Sequence, residues 1–427
     1  VTITGMGFTS ILLQRFRIFF MSAPVKLVSF SIAFICILLA LNFGIRSSMG
    51  FFMEPVSSEF GYGREVFAFA LALQNLCWGL SQPVAGAIAD KYGTARTVVV
   101  GAFLYAAGLA VTATTDSVAG LNTGAGLLMG MGIAATGFGV VLPAMARMVS
   151  VEKRAFALGL GSAAGSAGQL LVVPVAQEFI LGFGWVNALL LLAGCSLLMA
   201  VLAATFRQSG GAQLAVNKDS TAQTMREALK EACGYWHYWL IVVGFFVCGF
   251  QLAFITVHMP AFLSDRGFSA NTAVVSLSLI GLFNIFGCLL SGSWSGKYSK
   301  KNLLTIIYAL RAIAIAAFLL FEMSEMSVYL FSIVTGLLWL ATVPPTSGLV
   351  AQLFGLPYMG LLYGIVFLSH QLGSFSGVWL GGYLYDLTGS YDVVWWSACS
   401  IALVTALVHV FIDERPVPRL REQPLAV

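Results

Sequence analysis

The sequence predicts an all-α membrane protein with twelve transmembrane helices arranged as two six-helix pseudo-repeats. Of its 427 residues, 59% are hydrophobic and only 9% are charged, whereas a soluble domain carries about 25% charged residues. The apolar residues form long continuous runs, and the basic residues collect on alternate connections between those runs. Continuous runs favour helices over a β-barrel, whose strands alternate apolar and polar residues.

Twelve apolar segments account for the predicted spans. A helix needs about 20 apolar residues to cross a hydrocarbon core about 30 Å thick. One long polar connection, 207–235, follows the sixth segment, and within it 220–230 is expected to form a short helix on the membrane surface. We therefore predict an N-terminal six-helix bundle at 1–206, a cytoplasmic linker at 207–235 and a C-terminal six-helix bundle at 236–427. The predicted spans are 27–52, 66–89, 98–112, 121–146, 155–181, 186–206, 239–263, 273–292, 303–321, 328–351, 361–384 and 393–412.

The basic residues predict the orientation. If the N-terminus lies in the cytoplasm, all but four of the 22 lysines and arginines fall in cytoplasmic segments. The exceptions are Arg64 and Arg266 on outer loops and Arg46 and Arg311 within spans. By the positive-inside rule, we expect a multi-pass protein of the cell (inner) membrane with both termini cytoplasmic. The basic residues then face lipid headgroups, and no nucleic-acid partner is implied.

The cysteines and histidines predict neither a metal site nor a cofactor. Nearly all seven cysteines lie inside apolar segments, and none has CxxC spacing, so a disulfide framework is not expected either. The four histidines are scattered, and no acidic residue lies within a span to complete a nucleophile–base pair. We therefore expect that the protein is not an enzyme.

Three matches at nearly one offset indicate an internal duplication. Two of them are separated by 202 residues and the third by 206 residues. Parallel repeats with a binding site at their interface are typical of secondary transporters. The matching pairs are Gln169 with Gln371, Pro143 with Pro345, and 86–92 with 292–298.

The connection between the second and third spans carries a family resemblance. Residues 86–96, GAIADKYGTAR, resemble the loop signature of the major facilitator superfamily, which implies the twelve-helix fold of that family. The resemblance also implies that Asp90, Lys91 and Arg96 form a charge cluster that latches the two halves on the cytoplasmic side. The alternative is that these charges only set the topology. The second copy of the loop has Gly296 in place of the aspartate.

Two further segments resemble one group within that superfamily. Residues 43–61 and 71–83 are similar to the first two spans of the monocarboxylate transporter and oxalate/formate antiporter group. This resemblance implies that a cation in the first span, here Arg46, holds the substrate carboxylate. The group also uses an Asp and an Arg four residues apart in the eighth span, where this sequence has Asn284 and Cys288. Its proton-coupling scheme therefore does not transfer intact.

Arg46 is also singled out by its own physical chemistry. An arginine at mid-span costs about 2.5–3.5 kcal/mol even on the lenient insertion scale. All 18 acidic residues lie at or beyond span ends, so we expect an uncompensated charge about 10 Å deep. Such a guanidinium suits a carboxylate, although a structural role on backbone carbonyls is the alternative. For Arg311, in the ninth span, both roles stay open.

Other polar and aromatic side chains in the spans are candidates for the same site. His258 and His370 lie within spans, and histidine is the side chain that titrates near neutral pH, so each is a candidate for binding protons or substrate, with an interior hydrogen-bonding role as the alternative. The neutral candidates line the predicted cavity or bond helices to each other. They are the amides Asn42, Gln74, Asn75, Gln169, Gln251, Asn284 and Gln371, and the aromatic residues Trp78 and Tyr363.

The leading functional hypothesis is uptake or exchange of a small organic anion, a monocarboxylate, by alternating access, with proton symport as a further expectation. The alternative is an exporter of a drug, siderophore or other amphiphilic metabolite. The fifth span disfavours drug export because 161–168 lacks the proline of the Gly-Pro-x-x-Gly-Gly-like run found in drug antiporters. A further hypothesis, outside transport, is a receptor or a membrane enzyme built on the same fold.

Overall fold

The computed structural model describes residues 28–149, 154–209, 223–355 and 359–421, and the elements in those ranges are helices. Ten segments are long and apolar enough to cross a membrane. One of them, Gly159–Phe206, has 48 residues, about 72 Å of helix, which is enough for two crossings. It breaks at Gly184, where φ is 77°. Arg64–Tyr92 has 29 residues and provides the twelfth crossing.

We number these crossings span 1 to span 12. Span 1 is Val28–Ser48 continued by Met49–Phe52 and Met53–Phe60; span 2 is Arg64–Tyr92; span 3 is Thr94–Thr114; span 4 is Val118–Leu121 continued by Asn122–Leu128, Met129–Thr136 and Phe138–Arg147; spans 5 and 6 share Arg154–Leu202. Spans 7 to 9 are Trp236–Asp265, Ala270–Ser295 and Lys300–Leu320; span 10 is Glu325–Leu338 continued by Val343–Phe354; spans 11 and 12 are Met359–Thr388 and Asp392–Val410.

Serine caps explain where several spans begin. The side chains of Ser269 and Ser299, which directly precede spans 8 and 9, accept the backbone N–H of Thr272 and Asn302. Ser324 forms a capping box at the start of span 10. Each cap satisfies one of the donors that a helix leaves unpaired at its first turn.

Small residues bring the spans close together. A Cβ at Gly44 of span 1 would lie 2.6 Å from the carbonyl oxygen of Gly168 of span 5. In the same way, a Cβ at Gly373 of span 11 would collide with the carbonyl oxygen of Phe246 of span 7. Without an apolar driving force between helices in lipid, such close backbone packing is what holds them together.

The prediction of an all-α membrane protein with twelve helices is confirmed. Span 1 is longer than the predicted 27–52 because a buried 3₁₀ turn, Met49–Phe52, joins it to a further helix that ends at Phe60. The linker helix is Met225–Gly234, and residues 210–222 of the predicted linker lie outside the described residues. The division into bundles at 1–206 and 236–427 stays a prediction.

Candidate substrate site

Arg46 lies further from the end of its helix than the sequence predicted. It is followed by 14 residues of span 1 up to Phe60 and preceded by 18 from Val28. At about 1.5 Å per residue, Arg46 is about 21 Å from the Phe60 end along the helix axis. The predicted end of the span near Phe52, on which the expected depth of about 10 Å was based, was wrong because the helix continues to Phe60. Arg46 is therefore a mid-span charge.

The Arg46 guanidinium is oriented by span 2. Its Nη2 donates to Asn75 Oδ1 at 2.7 Å, and its Cζ lies 5.1 Å from the centroid of the Trp78 ring. Asn75 Nδ2 donates to the Leu71 carbonyl at 2.8 Å, which keeps Oδ1 turned toward the arginine. Arg46 Nε is buried without a hydrogen-bond partner, and in the described part of the chain no carboxylate forms an ion pair with Arg46.

A chain of hydrogen bonds connects Asn75 to His370. Gln371 Nε2 of span 11 donates to the backbone carbonyl oxygen of Asn75 at 3.3 Å. Gln371 Oε1 lies 3.0 Å from His370 Nδ1. Because the oxygen of the Gln371 amide faces the histidine, Nδ1 carries the hydrogen and donates it. The His370 ring also forms a side-chain hydrogen bond with Cys248 of span 7. Arg46 and His370 are thus linked through spans 1, 2 and 11.

Aromatic rings surround this chain of polar groups. The Trp78 ring is 6.0 Å from Phe43 and 5.6 Å from Phe367, both edge-on. His370 stacks on Phe367 at 5.9 Å and lies 4.9 Å from Phe245. These centroid distances are typical of favourable aromatic pairs. The charged group at Arg46 therefore borders an apolar wall formed by spans 1, 2, 7 and 11.

Tyr363 extends this wall, because its ring is 6.1 Å from that of Phe245. Among the predicted site residues, the structure therefore groups Arg46 and Asn75 with Trp78, and joins them through Gln371 to His370, beside which Tyr363 lies. The sequence did not identify Phe43, Phe245 or Phe367. The chain has 33 phenylalanines, and no sequence pattern distinguishes the three that lie against Trp78 or His370.

Five predicted amides lie elsewhere and bond helices together. Each donates to a backbone or side-chain oxygen of a neighbouring span, which is one of the two roles left open by the sequence. Asn284 also accepts the Leu340 N–H at 3.0 Å. The donations are Asn42 to Thr136 Oγ1 at 2.5 Å, Gln74 to Ala125 O at 2.8 Å, Gln169 to Leu277 O at 2.9 Å, Gln251 to Ala398 O at 2.9 Å and Asn284 to Ser166 Oγ at 2.8 Å.

Arg311 binds backbone carbonyls at the break in span 10, between Leu338 and Val343. Its Nε and Nη2 donate to the Leu338 carbonyl at 3.2 and 2.6 Å, and Nη2 also donates to the Trp339 carbonyl. Its Nη1 donates to Gln251 Oε1 at 3.3 Å. Leu338 ends the first half of span 10, so these carbonyls have lost their helical partners and need another donor in lipid. Arg311, only 5% exposed, supplies it, which favours the structural role.

His258 belongs to a different region of the protein. Its Nε2 lies 2.8 Å from the Val378 carbonyl, and its Nδ1 lies 3.1 Å from the Tyr391 hydroxyl. A carbonyl only accepts, so Nε2 donates and Nδ1 accepts from the tyrosine. Both ring nitrogens of this fully buried histidine are therefore occupied, as expected of an interior hydrogen-bonding residue.

The predicted latch residues lie at the junction of spans 2 and 3. Lys91 and Arg96 are exposed, and the Lys91 ammonium lies 5.1 Å from the centroid of the Tyr92 ring. Neither forms an ion pair with a described residue, and the Asp90 side chain lies outside the described part. The latch stays a prediction. No group of His, Cys, Asp or Glu in the described ranges could hold a metal ion.

Comparison with known proteins agrees with this architecture. The chain is 23% identical over 363 residues to the uncharacterized MFS-type transporter YcxA of Bacillus subtilis (strain 168), covering 82% of this chain and 86% of that protein. It is 26% identical over 359 residues to monocarboxylate transporter 13 of Rattus norvegicus, covering 82% and 81%. The resemblance to monocarboxylate transporters found in the sequence is thus confirmed.

The fold has a counterpart among solved structures. The inward-open conformation of the xylose transporter XylE from E. coli superposes with a TM-score of 0.69 at 15% identity, over 90% of this chain and 96% of that one. The model of the Major Facilitator Superfamily matches residues 35–377. Members of this kind are membrane transporters and not enzymes. This chain belongs to the Major Facilitator Superfamily and is a multi-pass membrane transporter.

Proposed function

We propose that this transporter carries a small organic anion, a monocarboxylate, by alternating access, and that Arg46 binds the carboxylate. The observation that carries the proposal is the Arg46 guanidinium itself. It lies at mid-span, is oriented by the neutral oxygen of Asn75 at 2.7 Å, and keeps Nε free of any hydrogen bond. A charge in this position is unfavourable until it is paired, and a substrate carboxylate would pair it.

The surroundings favour a single carboxylate on a small apolar body. Among the described arginines, Arg46 is the one that faces the aromatic wall, because the hydrogen bonds of Arg311 go to Leu338, Trp339 and Gln251. A second carboxylate would therefore meet Trp78 and Phe367 instead of a cation. Burying an ionised carboxylate without a partner is strongly unfavourable. The monocarboxylate transporters among the similar proteins support the same substrate class.

His370 is the group that we propose for proton coupling. Its Nδ1 donates to Gln371 at 3.0 Å, and its ring also forms a side-chain hydrogen bond with Cys248. An imidazole can take up a proton and carry it between the two sides of the membrane. Within this proposal the protein is a symporter of the cell (inner) membrane with both termini in the cytoplasm.

Export of a drug, siderophore or other amphiphilic metabolite finds less support. A lipophilic neutral substrate would not pair with a guanidinium at mid-span. The unfavourable free energy of the buried charge would then not be offset by substrate binding. The aromatic wall alone would suit such a substrate, so the two functions are separated by whether transport depends on Arg46.

The test is uptake of radiolabelled lactate, pyruvate and oxalate into proteoliposomes. We expect wild type to prefer the two monocarboxylates over oxalate. Arg46→Ala should lower their uptake at least about tenfold, equivalent to about 1.4 kcal/mol of lost binding. Arg266→Ala is the matched control, because Arg266 is an exposed arginine on a loop and should transport like wild type. Undiminished uptake by Arg46→Ala would overturn the proposal.

A further inference from the structure

Arg64 occupies a junction of five spans at the end of the bundle that lies away from the linker helix, which we call the distal end. It is the first residue of span 2. Its Nη1 and Nη2 donate to the two carboxylate oxygens of Asp265 of span 7 at 2.6 and 2.7 Å. Nη2 also contacts Glu54 of span 1 at 3.2 Å. This is the two-pronged geometry in which arginine holds a carboxylate most firmly.

Aromatic residues complete the surroundings of Arg64. The guanidinium carbon lies 4.0 Å from the centroid of the Tyr385 ring of span 11, within the range of a strong cation–π contact. Nη1 also lies 3.3 Å from the hydroxyl of Tyr391, at the start of span 12. Tyr391 donates its hydrogen to the buried His258, so its oxygen is left to accept from the arginine. The hydrogen bond to His258 thereby fixes the position of the Tyr391 hydroxyl.

The backbone of the same residue is held by span 11. The N–H groups of Arg64 and Glu65 donate to the two carboxylate oxygens of Asp386 at 3.0 and 2.8 Å. Asp386 thus caps span 2 in the way that an N-cap side chain would, although it comes from another helix. Trp379 Nε1 of span 11 donates to Glu65 Oε1 at 3.0 Å. A Cβ at Gly382 would lie 2.8 Å from the Glu65 Cα.

The charges around Arg64 are unbalanced. One guanidinium pairs with the carboxylates of Glu54 and Asp265, and the backbone N–H of the same residue binds the carboxylate of Asp386. The Arg64 and Asp265 side chains are only 13% and 29% exposed, so water screens them poorly. Without the guanidinium, carboxylates of spans 1, 7 and 11 would repel each other at close range. Arg64 is the group that lets these spans meet.

We propose that Arg64 is the closing element of a gate at the distal end, holding spans 1 and 2 against spans 7, 11 and 12. In this structure the gate is shut. It opens when Asp265 and Asp386 leave Arg64, and the substrate site then becomes accessible from the distal side. The proposal does not depend on which solute is carried or on the role of Arg46.

The test measures hydrogen–deuterium exchange of the full-length protein in lipid nanodiscs by mass spectrometry. The reporting peptides cover 61–67 and 384–391, and a peptide over 297–302 at the opposite end is the internal reference. Arg64→Gln should speed exchange in both reporting peptides about tenfold, because exchange follows the population of the open form. Asp265→Asn should speed it less, about threefold, because Glu54 still pairs with Arg64.

The double variant Arg64→Gln/Asp265→Asn separates repulsion from simple loss of a bond. With fewer uncompensated carboxylates, it should exchange more slowly than Arg64→Gln alone. The matched control is Arg266→Gln, because Arg266 pairs with Asp392 of span 12 at 3.1 Å in a more exposed setting and lies over the Phe262 ring of span 7. It should behave as wild type in all three peptides.

Three outcomes would overturn the gate. They are wild-type exchange in Arg64→Gln, equal acceleration in Arg64→Gln and Arg266→Gln, and faster exchange in the double variant than in Arg64→Gln. If Arg64→Gln does not yield a folded sample, Asp265→Asn compared with Arg266→Gln decides the question. Acceleration confined to the former then supports the gate, and equal exchange in the two contradicts it.

Discussion

Gln169 and Gln371 form the same hydrogen bond at two different places in the bundle. Gln169 of span 5 donates to the Leu277 carbonyl of span 8 at 2.9 Å, and Gln371 of span 11 donates to the Asn75 carbonyl of span 2 at 3.3 Å. The two glutamines are 202 residues apart, and so are the two acceptors. The internal repeat therefore includes the contacts between spans 5 and 8 and between spans 2 and 11.

The glycines opposite these glutamines repeat in the same way. A Cβ at Gly281 would lie 3.1 Å from the Cβ of Gln169, and a Cβ at Gly79 would lie 2.8 Å from that of Gln371. These glycines are also 202 residues apart. Both helix pairs therefore approach closely at the level of a glutamine, which gives spans that move relative to one another a matched pair of contact points.

Removing the two glutamines should have unequal effects. Gln169→Leu and Gln371→Leu should each lower the free energy of unfolding by about 1 kcal/mol, the net contribution of a typical hydrogen bond. Gln371→Leu should in addition reduce uptake, because it releases His370 and the Asn75 backbone. Thermal unfolding followed by tryptophan fluorescence, together with proteoliposome uptake, checks both. Equal loss of uptake in the two variants would contradict the special role of Gln371.

Converting Asn75 to aspartate should inactivate the transporter. The side chain keeps its shape but places a carboxylate against Arg46 Nη2, at the 2.7 Å where a neutral amide oxygen now accepts the hydrogen bond. The guanidinium would then be paired within the protein and would no longer attract an anion. We expect uptake to fall at least about tenfold, with thermal stability kept or increased.

The matched control for this prediction is Asn187→Asp, which adds the same charge at an exposed position of span 6. It should leave uptake unchanged. If Asn75→Asp transports as well as the control does, the carboxylate of the substrate is bound by another group.

Replacing Arg311 should damage stability and leave substrate affinity unchanged. Arg311→Met keeps an unbranched, mostly apolar side chain but strips the Leu338 and Trp339 carbonyls of their donors. Leaving a buried acceptor unsatisfied costs about 1–3 kcal/mol per group, so the unfolding temperature should drop clearly. The KM for uptake by the folded fraction should equal that of wild type. A raised KM with normal stability would instead show that Arg311 binds the anion.

His370 and His258 should differ in their effect on coupling. His370→Gln keeps a hydrogen-bonding side chain but cannot carry a proton, so uptake driven by an imposed pH gradient should be lost while exchange of labelled for unlabelled anion continues. His258→Gln should leave the response to the gradient intact, because both His258 nitrogens are engaged by Val378 and Tyr391. Gradient-driven uptake by His370→Gln would exclude this histidine as the proton carrier.

The sequence predicted the architecture because hydropathy and the positive-inside rule act on whole segments. It predicted Arg46 as the candidate anion-binding residue because a charge within an apolar run is visible without knowing its neighbours. Its distance from the end of the helix was underestimated because Met49–Phe52 has the sequence of a span end, and only the structure shows that a 3₁₀ turn continues the helix to Phe60. Where a helix continues depends on packing against other helices, which one segment does not contain.

The pairing of side chains across spans could not be predicted in the same way. Asn42, Gln74 and Asn75 are amides of similar hydropathy within spans 1 and 2, yet only Asn75 faces Arg46. Arg64 was predicted only as a charge on an outer loop. In the structure it binds Asp265, which lies 201 positions further along the chain. Such contacts follow from the rotation and tilt of each helix about its axis. These are set by the whole bundle.

The turn between spans 5 and 6 determines how these helices can move. Gly184 alone departs from helical geometry, so no flexible loop lies between the two helices. The next residue, Trp185, donates its indole N–H to Glu59 near the end of span 1. Spans 1, 5 and 6 are therefore connected at that end. If span 5, with Gln169, shifts relative to span 8, we expect spans 1 and 6 to move with it as one rigid unit.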